Sequence, residues 1–319
     1  MPPTAPAEKL RRKLKRTVLQ SVAAFGLIEP GDRIMVCLSG GKDSYTLFDL
    51  LHDVRRSSPF PFDLIGVHLD QRQPGYDGRP LRAWLEGFGQ PFEIISRDTY
   101  SAVLALTKPG GTYCAPCSRL RRGALYQAAE RLGCNKLALG HHRDDGLQTL
   151  LMNLFFSGRL QAMPARYRTN CDRFEVIRPL IELAEPDIAE YAAHVGYPIL
   201  PCNLCGSQSG LQRSAMAELL GRLERDIPNV RAVMMAAIRN VRVTHLLDQG
   251  LLERLDEVAA EAGAEVGCGP DEAAGREPLV VAETLLSVQP GARVITPELA
   301  LRPAELERLK RGALATVEA

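Results

Sequence analysis

The stretch VCLSGGKDS at positions 36–44 constrains the fold of this chain more than any other feature. It closes the short apolar run 32–38, which predicts a buried strand, and it opens the periodic segment 45–54, which predicts a helix. A glycine pair between a strand and a helix lets backbone amides and the helix N-terminus face an anion. The sequence therefore predicts an anion site at the carboxyl end of a strand.

The polar residues of this turn have the chemistry of a phosphate site, but not in the Walker A order. That motif requires G-x-x-x-x-G-K-[ST], whereas here Asp43 follows Lys42 and Val36 occupies the place of the first glycine. An aspartate there is suited to holding Mg²⁺ or to accepting hydrogen bonds at the start of the helix. We predict a nucleotide site made of Ser39, Gly40, Gly41, Lys42, Asp43 and Ser44.

Strand and helix patterns alternate through the middle of the chain. Predicted strands cover 32–38, 62–69, 91–95, 136–139 and 174–181, and predicted helices cover 45–54, 81–88, 118–132, 146–156 and 185–195. This alternation indicates an α/β fold with a doubly wound parallel sheet, in which ligands bind beyond the carboxyl ends of the strands.

A second polar constellation, LGHHRDD at 139–145, also follows a predicted strand and precedes a helix. It therefore belongs at the same edge of the sheet as the first loop. Adjacent histidines point apart, so two ligands to one metal from this pair are not expected. An aspartate in the first turn also complements the helix dipole. We single out Asp145 first and Asp144 second as functional acids.

Two C-x₂-C pairs, Cys114/Cys117 and Cys202/Cys205, are placed in loops that precede helices. On spacing alone, a Cys₄ zinc site is the favoured interpretation. The helix N-terminus and the arginines that follow the first pair favour thiolates, which also suit an iron–sulfur cluster or persulfide chemistry. Cys37 lies inside a strand and is interpreted as a structural core cysteine.

Charge is unevenly divided along the 319 residues. Residues 253–319 carry 13 acidic and 7 basic side chains, and the rest of the chain carries 25 acidic and 32 basic ones. The basic residues cluster in the opening helix and at Arg119, Arg121 and Arg122, and such clusters suit a phosphate backbone or a solvated helix face. No apolar run of membrane length and no secretory signal is seen, so we expect a cytoplasmic protein without a membrane partner.

The strand–SGGKDS–helix unit resembles the PP-loop ATP pyrophosphatases, which cleave ATP between the α and β phosphates. Further motifs occur in register, and together they resemble the tRNA 2-thiocytidine synthetase family from about residue 14 to about residue 251. The motifs are LDQRQPG, CAPCSRLRRGALY, KLALGHHRDDGLQTLLMN, VIRPLIEL and YPILPCNLCGSQSGLQR.

This resemblance implies an ATP- and iron–sulfur-dependent conversion of cytidine 32 in the tRNA anticodon loop to 2-thiocytidine. It implies a [4Fe–4S] cluster on Cys114, Cys117 and Cys205, with one iron open and Cys202 left over. It further implies Mg²⁺, a sulfur donor such as a cysteine desulfurase, and a homodimer. The implied catalytic residues are Lys42, Asp43, Asp145 and Arg121. The implied nucleotide-binding residues are the six of the SGGKDS loop together with Asp70, His141 and Asp144.

Two alternatives remain. A lysidine synthetase shares SGGKDS and the G-H-x-x-D-D element but has no need of paired C-x₂-C loops. An RNA-binding module with structural zinc would hold zinc and leave the ATP site silent. Iron and acid-labile sulfide in anaerobically purified protein would favour the thiolation hypothesis over both of these alternatives.

The predicted organisation has four parts. A basic N-terminal helix covers 1–28, and a PP-loop domain with the first C-x₂-C covers 29–200. A segment with the second C-x₂-C and helices covers 201–252, and an acidic, partly ordered extension covers 253–319. We expect the extension to add no second catalytic domain.

Overall fold

The computed structural model describes residues 5–108, 111, 113–169, 172–200 and 212–262. The chain divides into two compact units, Met1–Arg231 and Ala232–Ala319. Among the described residues, no helix combines the length and the apolar character needed to cross a membrane.

The described residues form ten α-helices and six strands. The helices are α1 (Ala5–Phe25), α2 (Lys42–Ser57), α3 (Arg79–Phe88), α4 (Tyr100–Leu106), α5 (Cys114–Arg131), α6 (Arg143–Met152), α7 (Glu185–Val195), α8 (Gln212–Asp226), α9 (Val230–Arg239) and α10 (Gln249–Ala262). The strands are β1 (Arg33–Leu38), β2 (Asp63–Asp70), β3 (Phe92–Ser96), β4 (Lys136–Ala138), β5 (Arg166–Arg168) and β6 (Glu175–Ile177).

The six strands form one sheet in the order β3-β2-β1-β4-β6-β5. All neighbours are parallel except β5, which pairs antiparallel with β6. The α/β prediction with a parallel sheet is confirmed, and β5 is an added antiparallel edge strand that the sequence did not predict. The chain order reverses beside β1, between β2 on one side and β4 on the other, which places the switch point of the sheet at the end of β1.

The faces of β1 divide the core into two layers. Ile34, Val36 and Leu38 belong to a large cluster formed with α1, α2 and α7. Met35 points the other way, into a second cluster that includes Ala128 of α5. Because alternate residues of a strand face opposite sides, one short apolar strand packs against helices on both faces of the sheet.

A buried carboxylate joins three helices of the larger cluster. Asp49 of α2 accepts hydrogen bonds from the hydroxyls of Tyr191 at 2.6 Å and Tyr197 at 2.8 Å, and from Arg11 of α1 at 3.2 Å. Burial raises the pKa values of both tyrosines, and the negative charge of Asp49 is the second cause of the increase. Both hydroxyls therefore keep their protons and remain donors. This junction holds α2 and α7 together, and both helices begin at the candidate site.

Several predicted boundaries were wrong in detail. The helix after the first C-x₂-C begins at Cys114 itself, so CAPC forms its first turn rather than a preceding loop. A proline is tolerated in a first helical turn because its missing N–H has no intrahelical partner there. The helix predicted at 146–156 begins at Arg143 and ends at Met152, and a π-helical turn, Asn153–Ser157, follows it.

In the second unit, the described residues form the remainder of α9, a 3₁₀ turn at Val243–His245 and α10. The predicted acidic extension begins within α10, and its residues 263–319 lie outside the described residues. The predicted domain boundaries remain a prediction.

We expect Asp49→Ala to lower the free energy of unfolding strongly, because it leaves the buried hydroxyls of Tyr191 and Tyr197 without their acceptor, while Arg11 keeps its ion pair with Asp53 at 2.8 Å. An unsatisfied buried group costs about 1–3 kcal/mol, so the total should exceed about 2 kcal/mol in urea unfolding. The matched control is Asp187→Ala, which removes the more exposed pair with Lys13 and should cost less than about 1 kcal/mol. Equal losses for the two variants would contradict this role for Asp49.

Candidate active site

The SGGKDS loop is a tight turn between β1 and α2. Gly40 has φ of 83°, in the left-handed region that favours glycine, and Gly41 precedes the helix in an extended conformation. A Cβ on Gly40 would approach the Leu200 side chain to 3.0 Å, and the Leu200 amide donates to the Gly40 carbonyl at 2.9 Å. The loop is therefore closed on one side by the segment that leads into the second C-x₂-C.

The two serines of the loop stabilise its shape. Ser44 Oγ donates to the carbonyl of Gly41 at 2.9 Å and accepts from the amide of Ser39 at 3.1 Å. The Ser39 hydroxyl lies 3.2 Å from that of Ser44 and accepts from the Gly41 amide at 3.3 Å. These bonds hold the backbone in a turn whose first helical N–H groups lack intrahelical partners, as an anion site requires.

Lys42 lies between two carboxylates. Its Nζ is 3.2 Å from Asp43 Oδ1 and 3.1 Å from Oε1 of Glu185, the first residue of α7. Burial by itself would lower the pKa of Lys42, but Asp43 and Glu185 outweigh it and the pKa is raised. The ammonium is thus charged at neutral pH. Sequence reasoning missed Glu185, because a contact across 143 positions leaves no local signal.

Gly140 brings the second polar loop onto the first. A Cβ at this position would lie 3.1 Å from the carbonyl carbon of Asp43 and 3.2 Å from the amide nitrogen of Ser44. A side chain at this position would require the backbone of Asp43 and Ser44 to move by a few tenths of an ångström. The predicted convergence of the two loops is present in the structure.

Asp144 is fully buried, and both of its oxygens have partners. Oδ2 accepts from the amide of Glu185 at 2.8 Å and lies 3.6 Å from Arg143 Nε, while Oδ1 accepts from Arg231. Burial alone would raise the pKa of Asp144, but these hydrogen bonds and charges outweigh it and the pKa is lowered. Its contacts show Asp144 positioning α7 and Arg231. Its predicted nucleotide-binding role remains a prediction.

Asp145 faces the other way and caps its own helix. Its Oδ2 accepts from the His142 amide at 3.1 Å, and its Oδ1 accepts from Arg213 of α8 at 3.0 Å. The His142 ring is buried, with Nε2 3.4 Å from Asp145 Oδ2 and 3.8 Å from Asp43 Oδ1. Among the described residues its Nδ1 has no hydrogen-bond partner. The His142 ring therefore lies between Asp145 and Asp43. The sequence analysis had selected its neighbour His141 instead.

His141 itself is held as a neutral acceptor. Arg178 Nε donates to its Nδ1 at 3.2 Å, and burial, with the Arg178 charge second, lowers the pKa of His141 to about 4. With Nδ1 accepting, the ring proton resides on Nε2 at neutral pH. Arg178 was not predicted as a site residue, because only its contact with His141 in the folded chain connects it to the site.

Asp70 ends β2, next to β1 in the sheet. Its Oδ1 accepts from the amide of Arg72 at 2.8 Å, and Arg72 has φ of 57°. Ser96 donates to its Oδ2 at 3.4 Å. Asp70 thus reaches the same edge of the sheet as the SGGKDS loop. Its role in nucleotide binding remains a prediction.

Cys117 lies at this edge as well. Its sulfur is buried and lies 3.6 Å from Oε1 of Gln71, which follows β2 and also accepts from Thr99 at 3.2 Å. Cys114 is the first residue of α5. The other predicted cluster ligand, Cys205, and its neighbour Cys202 lie outside the described residues.

Arg121 is one turn beyond Cys117 on α5. Burial raises the pKa of the Cys37 thiol to about 12, with the Arg121 charge acting in the opposite direction. The guanidinium is thus close enough to act on the end of β1, directly before the SGGKDS loop. The protonated thiol of Cys37 is partly buried against the second core cluster, which agrees with its interpretation as a structural cysteine.

The residues that meet at this edge define a class of protein. Comparison with family models matches residues 6–198 to the family described as "PP-loop domain", so the fold and the loop define a PP-loop protein. A tRNA-cytidine(32) 2-sulfurtransferase of Tolumonas auensis is 43% identical over 91% of this chain and 95% of its own length. One from Cytophaga hutchinsonii is 48% identical over 79% of this chain and 88% of its own length.

The chain belongs to the tRNA-cytidine(32) 2-sulfurtransferase family. This membership confirms the resemblance drawn from the motifs and the assignment as a sulfurtransferase enzyme. Among solved structures, the U34-tRNA thiolase NcsA from Methanococcus maripaludis, determined with its [4Fe–4S] cluster, matches with a TM-score of 0.57. That match has 21% identity over 90% of this chain and 91% of NcsA, and it supports the fold.

We expect Gly140→Ala to weaken ATP binding about tenfold, because the added methyl must displace the start of α2, and such overpacking costs about 1–3 kcal/mol. Binding of a non-hydrolysable ATP analogue by calorimetry measures the loss. The matched control is Gly146→Ala in α6, where a Cβ would meet only Ile181 at 3.7 Å. An unchanged affinity for Gly140→Ala would show that the contact between the loops is irrelevant to the nucleotide.

Proposed function

We propose that this chain uses ATP to replace the C2 oxygen of cytidine 32 in tRNA with sulfur. The observation that carries the proposal is the position of Cys117 and the SGGKDS loop at one edge of the sheet. A sulfur-handling thiol and a nucleotide loop placed together suit a reaction that activates an oxygen and then replaces it. Family membership supports the same activity.

The chemistry requires two steps. The C2 oxygen attacks the α-phosphorus of ATP, pyrophosphate leaves, and the oxygen becomes part of an adenylate ester. A sulfide then adds to C2, and AMP leaves with the oxygen. The amides of the SGGKDS loop and Lys42 would bind the departing pyrophosphate, since fixed donors aimed at developing charge lower such barriers.

Mg²⁺ fits the acidic residues of the loops. Asp43 Oδ1 is buried without a hydrogen-bond partner among the described residues, with the Lys42 ammonium 3.2 Å away. Carboxylates and substrate phosphates are the ligands that Mg²⁺ prefers. We propose Asp43 and Asp145 as the residues that would hold it, while Asp144 positions the start of α7 and with it Glu185 beside Lys42.

Cys114, Cys117 and Cys205 are the proposed holders of a [4Fe–4S] cluster. The buried Cys117 sulfur at the site edge has the donor chemistry that such a cluster requires. When bound by three thiolates, the cluster would offer one open iron at which sulfide can bind. Arg121 would stabilise anionic species between the thiols and the nucleotide loop.

The tRNA would reach the site as a single-stranded loop, because a base in a duplex cannot be reached without unstacking. Exposed basic side chains on two helices suit contacts with its backbone: Lys9 and Arg16 of α1, and Arg119 and Arg122 of α5. Arg11 and Lys13 are engaged with Asp49 and Asp187 and contribute less. We further propose a cysteine desulfurase as sulfur donor, a homodimer and a cytoplasmic location.

We expect Lys42→Ala to reduce adenylation by about a hundredfold or more, the usual cost of removing one charge-stabilising donor. Iron and acid-labile sulfide should stay at the wild-type level, because the cysteines lie on other segments. Labelled ATP should yield AMP and pyrophosphate in the wild-type enzyme. Formation of ADP and phosphate instead would refute the PP-loop mechanism.

Replacing Cys114, Cys117 or Cys205 by alanine should remove the cluster and abolish thiolation. The matched control is Cys202→Ala, which should keep most of its iron. Metal analysis of anaerobically purified protein checks both. Loss of iron in the Cys202 variant with retention in the Cys205 variant would reverse that assignment, and bound zinc in the wild type would support the structural-zinc alternative.

A further inference from the structure

An exposed apolar turn follows α6. The chain makes one π-helical turn at Asn153–Ser157 and reverses at Gly158, which has φ of 60°. We name residues 153–160 the aromatic turn. Four large apolar side chains in it have between 45% and 65% of their surface exposed: Leu154, Phe155, Phe156 and Leu160. Four large exposed apolar side chains so close together in the chain are a feature of interaction surfaces.

The aromatic turn has a defined shape. The side-chain amide of Asn153 donates to the carbonyl of Gln161 at 2.8 Å, and the amides of Gly158 and Arg159 donate back to the carbonyl of Asn153, the latter at 3.0 Å. These bonds close the base of the turn and leave its apolar side chains pointing outward. A preformed platform loses little conformational entropy when it binds a partner.

The charge around the turn favours an anionic partner. Residues 146–171 contain no aspartate or glutamate and three exposed arginines, Arg159, Arg166 and Arg168. Arg159 belongs to the turn itself, whereas Arg166 and Arg168 lie on β5 and are paired with Glu175 at 3.8 Å and Asp172 at 3.2 Å. Aromatic side chains combined with arginines are the usual means of binding single-stranded nucleic acid. A second copy of this chain would bring the same arginines face to face, because a two-fold interface pairs identical patches.

The turn is tied to the candidate active site at both of its ends. It follows α6, which begins beside His142 and is about 15 Å long at 1.5 Å per residue. On the return, the carbonyl of Pro164 accepts from Arg178 Nη1 at 2.7 Å, and Arg178 also holds His141. The turn therefore lies about one length of α6 from the site.

We propose that Phe155 and Phe156 stack on unpaired nucleobases of the tRNA loop whose cytidine reacts. This inference rests on the proposed function and adds to it the surface that recognises the unpaired bases. The phosphate contacts of the basic helices bind any backbone, whereas stacking requires bases that are free of a duplex.

The Phe155→Ala/Phe156→Ala double variant tests the proposal. Its affinity for an anticodon stem-loop RNA should fall about tenfold or more, and its affinity for a fully paired duplex of equal length should stay the same. The slope of log Kd against log salt concentration should not change, because no charge is removed. Affinity for an ATP analogue should also be unchanged. The matched control is Val195→Ala, an exposed apolar residue at the end of α7.

Two further variants separate stacking from general apolar contact. Phe155→Leu/Phe156→Leu keeps apolar surface but loses the aromatic faces, so it should bind the stem-loop as weakly as the double alanine variant. Phe156→Trp adds an exposed fluorophore to a chain whose single tryptophan is the partly buried Trp84. Stem-loop RNA should quench the added fluorescence, and the paired duplex should not.

The remaining outcomes overturn the proposal in different ways. Stem-loop affinity within twofold of wild type in the double alanine variant refutes stacking while the proposed function stands. The same result together with a shift from dimer to monomer in sedimentation would assign the turn to a second copy of the chain. A wild-type protein that binds no stem-loop RNA would refute the proposed function itself.

Discussion

The buried carboxylate of Asp144 is the constraint on which the candidate site depends. An anion that is fully removed from water must be paired and hydrogen-bonded, or it destabilises the fold. Here the partners are the first amide of α7, its neighbour Arg143, and Arg231. By anchoring the start of α7, Asp144 places the Glu185 carboxylate 3.1 Å from the Lys42 ammonium.

The adjacent residues Asp144 and Asp145 therefore have different surroundings and different structural roles. Asp144 points into the protein and has all of its oxygens engaged, whereas Asp145 points to the edge, where it meets His142 and Arg213. Gly140 makes this arrangement possible, because the backbone of the second loop touches the start of α2. One close contact and one buried charge together hold the two loops in register.

The central fold could be predicted from the sequence because its signals are local. Short apolar strands that alternate with periodic helices identify the parallel sheet, and the motif positions identify its functional edge. The antiparallel strand β5, Arg166–Arg168, has exposed arginines at both ends and so lacks the apolar run by which the other short strands were predicted. The first turn of α5 was assigned to a loop because its proline is compatible with either state.

The site could be predicted only where a motif carried it. Lys42, Asp43 and Asp145 lie in the first turns of α2 and α6, within motifs of recognisable residue types and spacing. Glu185 and Arg231 become functional neighbours through contacts across 143 and 87 positions, which no local pattern records. The sequence alone does not distinguish His141 from His142. In the structure, Arg178 donates to the His141 ring, whereas the His142 ring lies between Asp43 and Asp145.

The aspartate that follows the lysine in this loop has a physical explanation. Lys42 shares its charge between Asp43 and Glu185. A triphosphate would take over the lysine and leave two carboxylates beside its own negative charge. Repulsion between like charges at such short range is large in a partly buried site, and a divalent cation would offset it. This argument supports the proposal that ATP binds together with Mg²⁺, with Asp43 in the sequence position that a hydroxyl residue has in the Walker A loop.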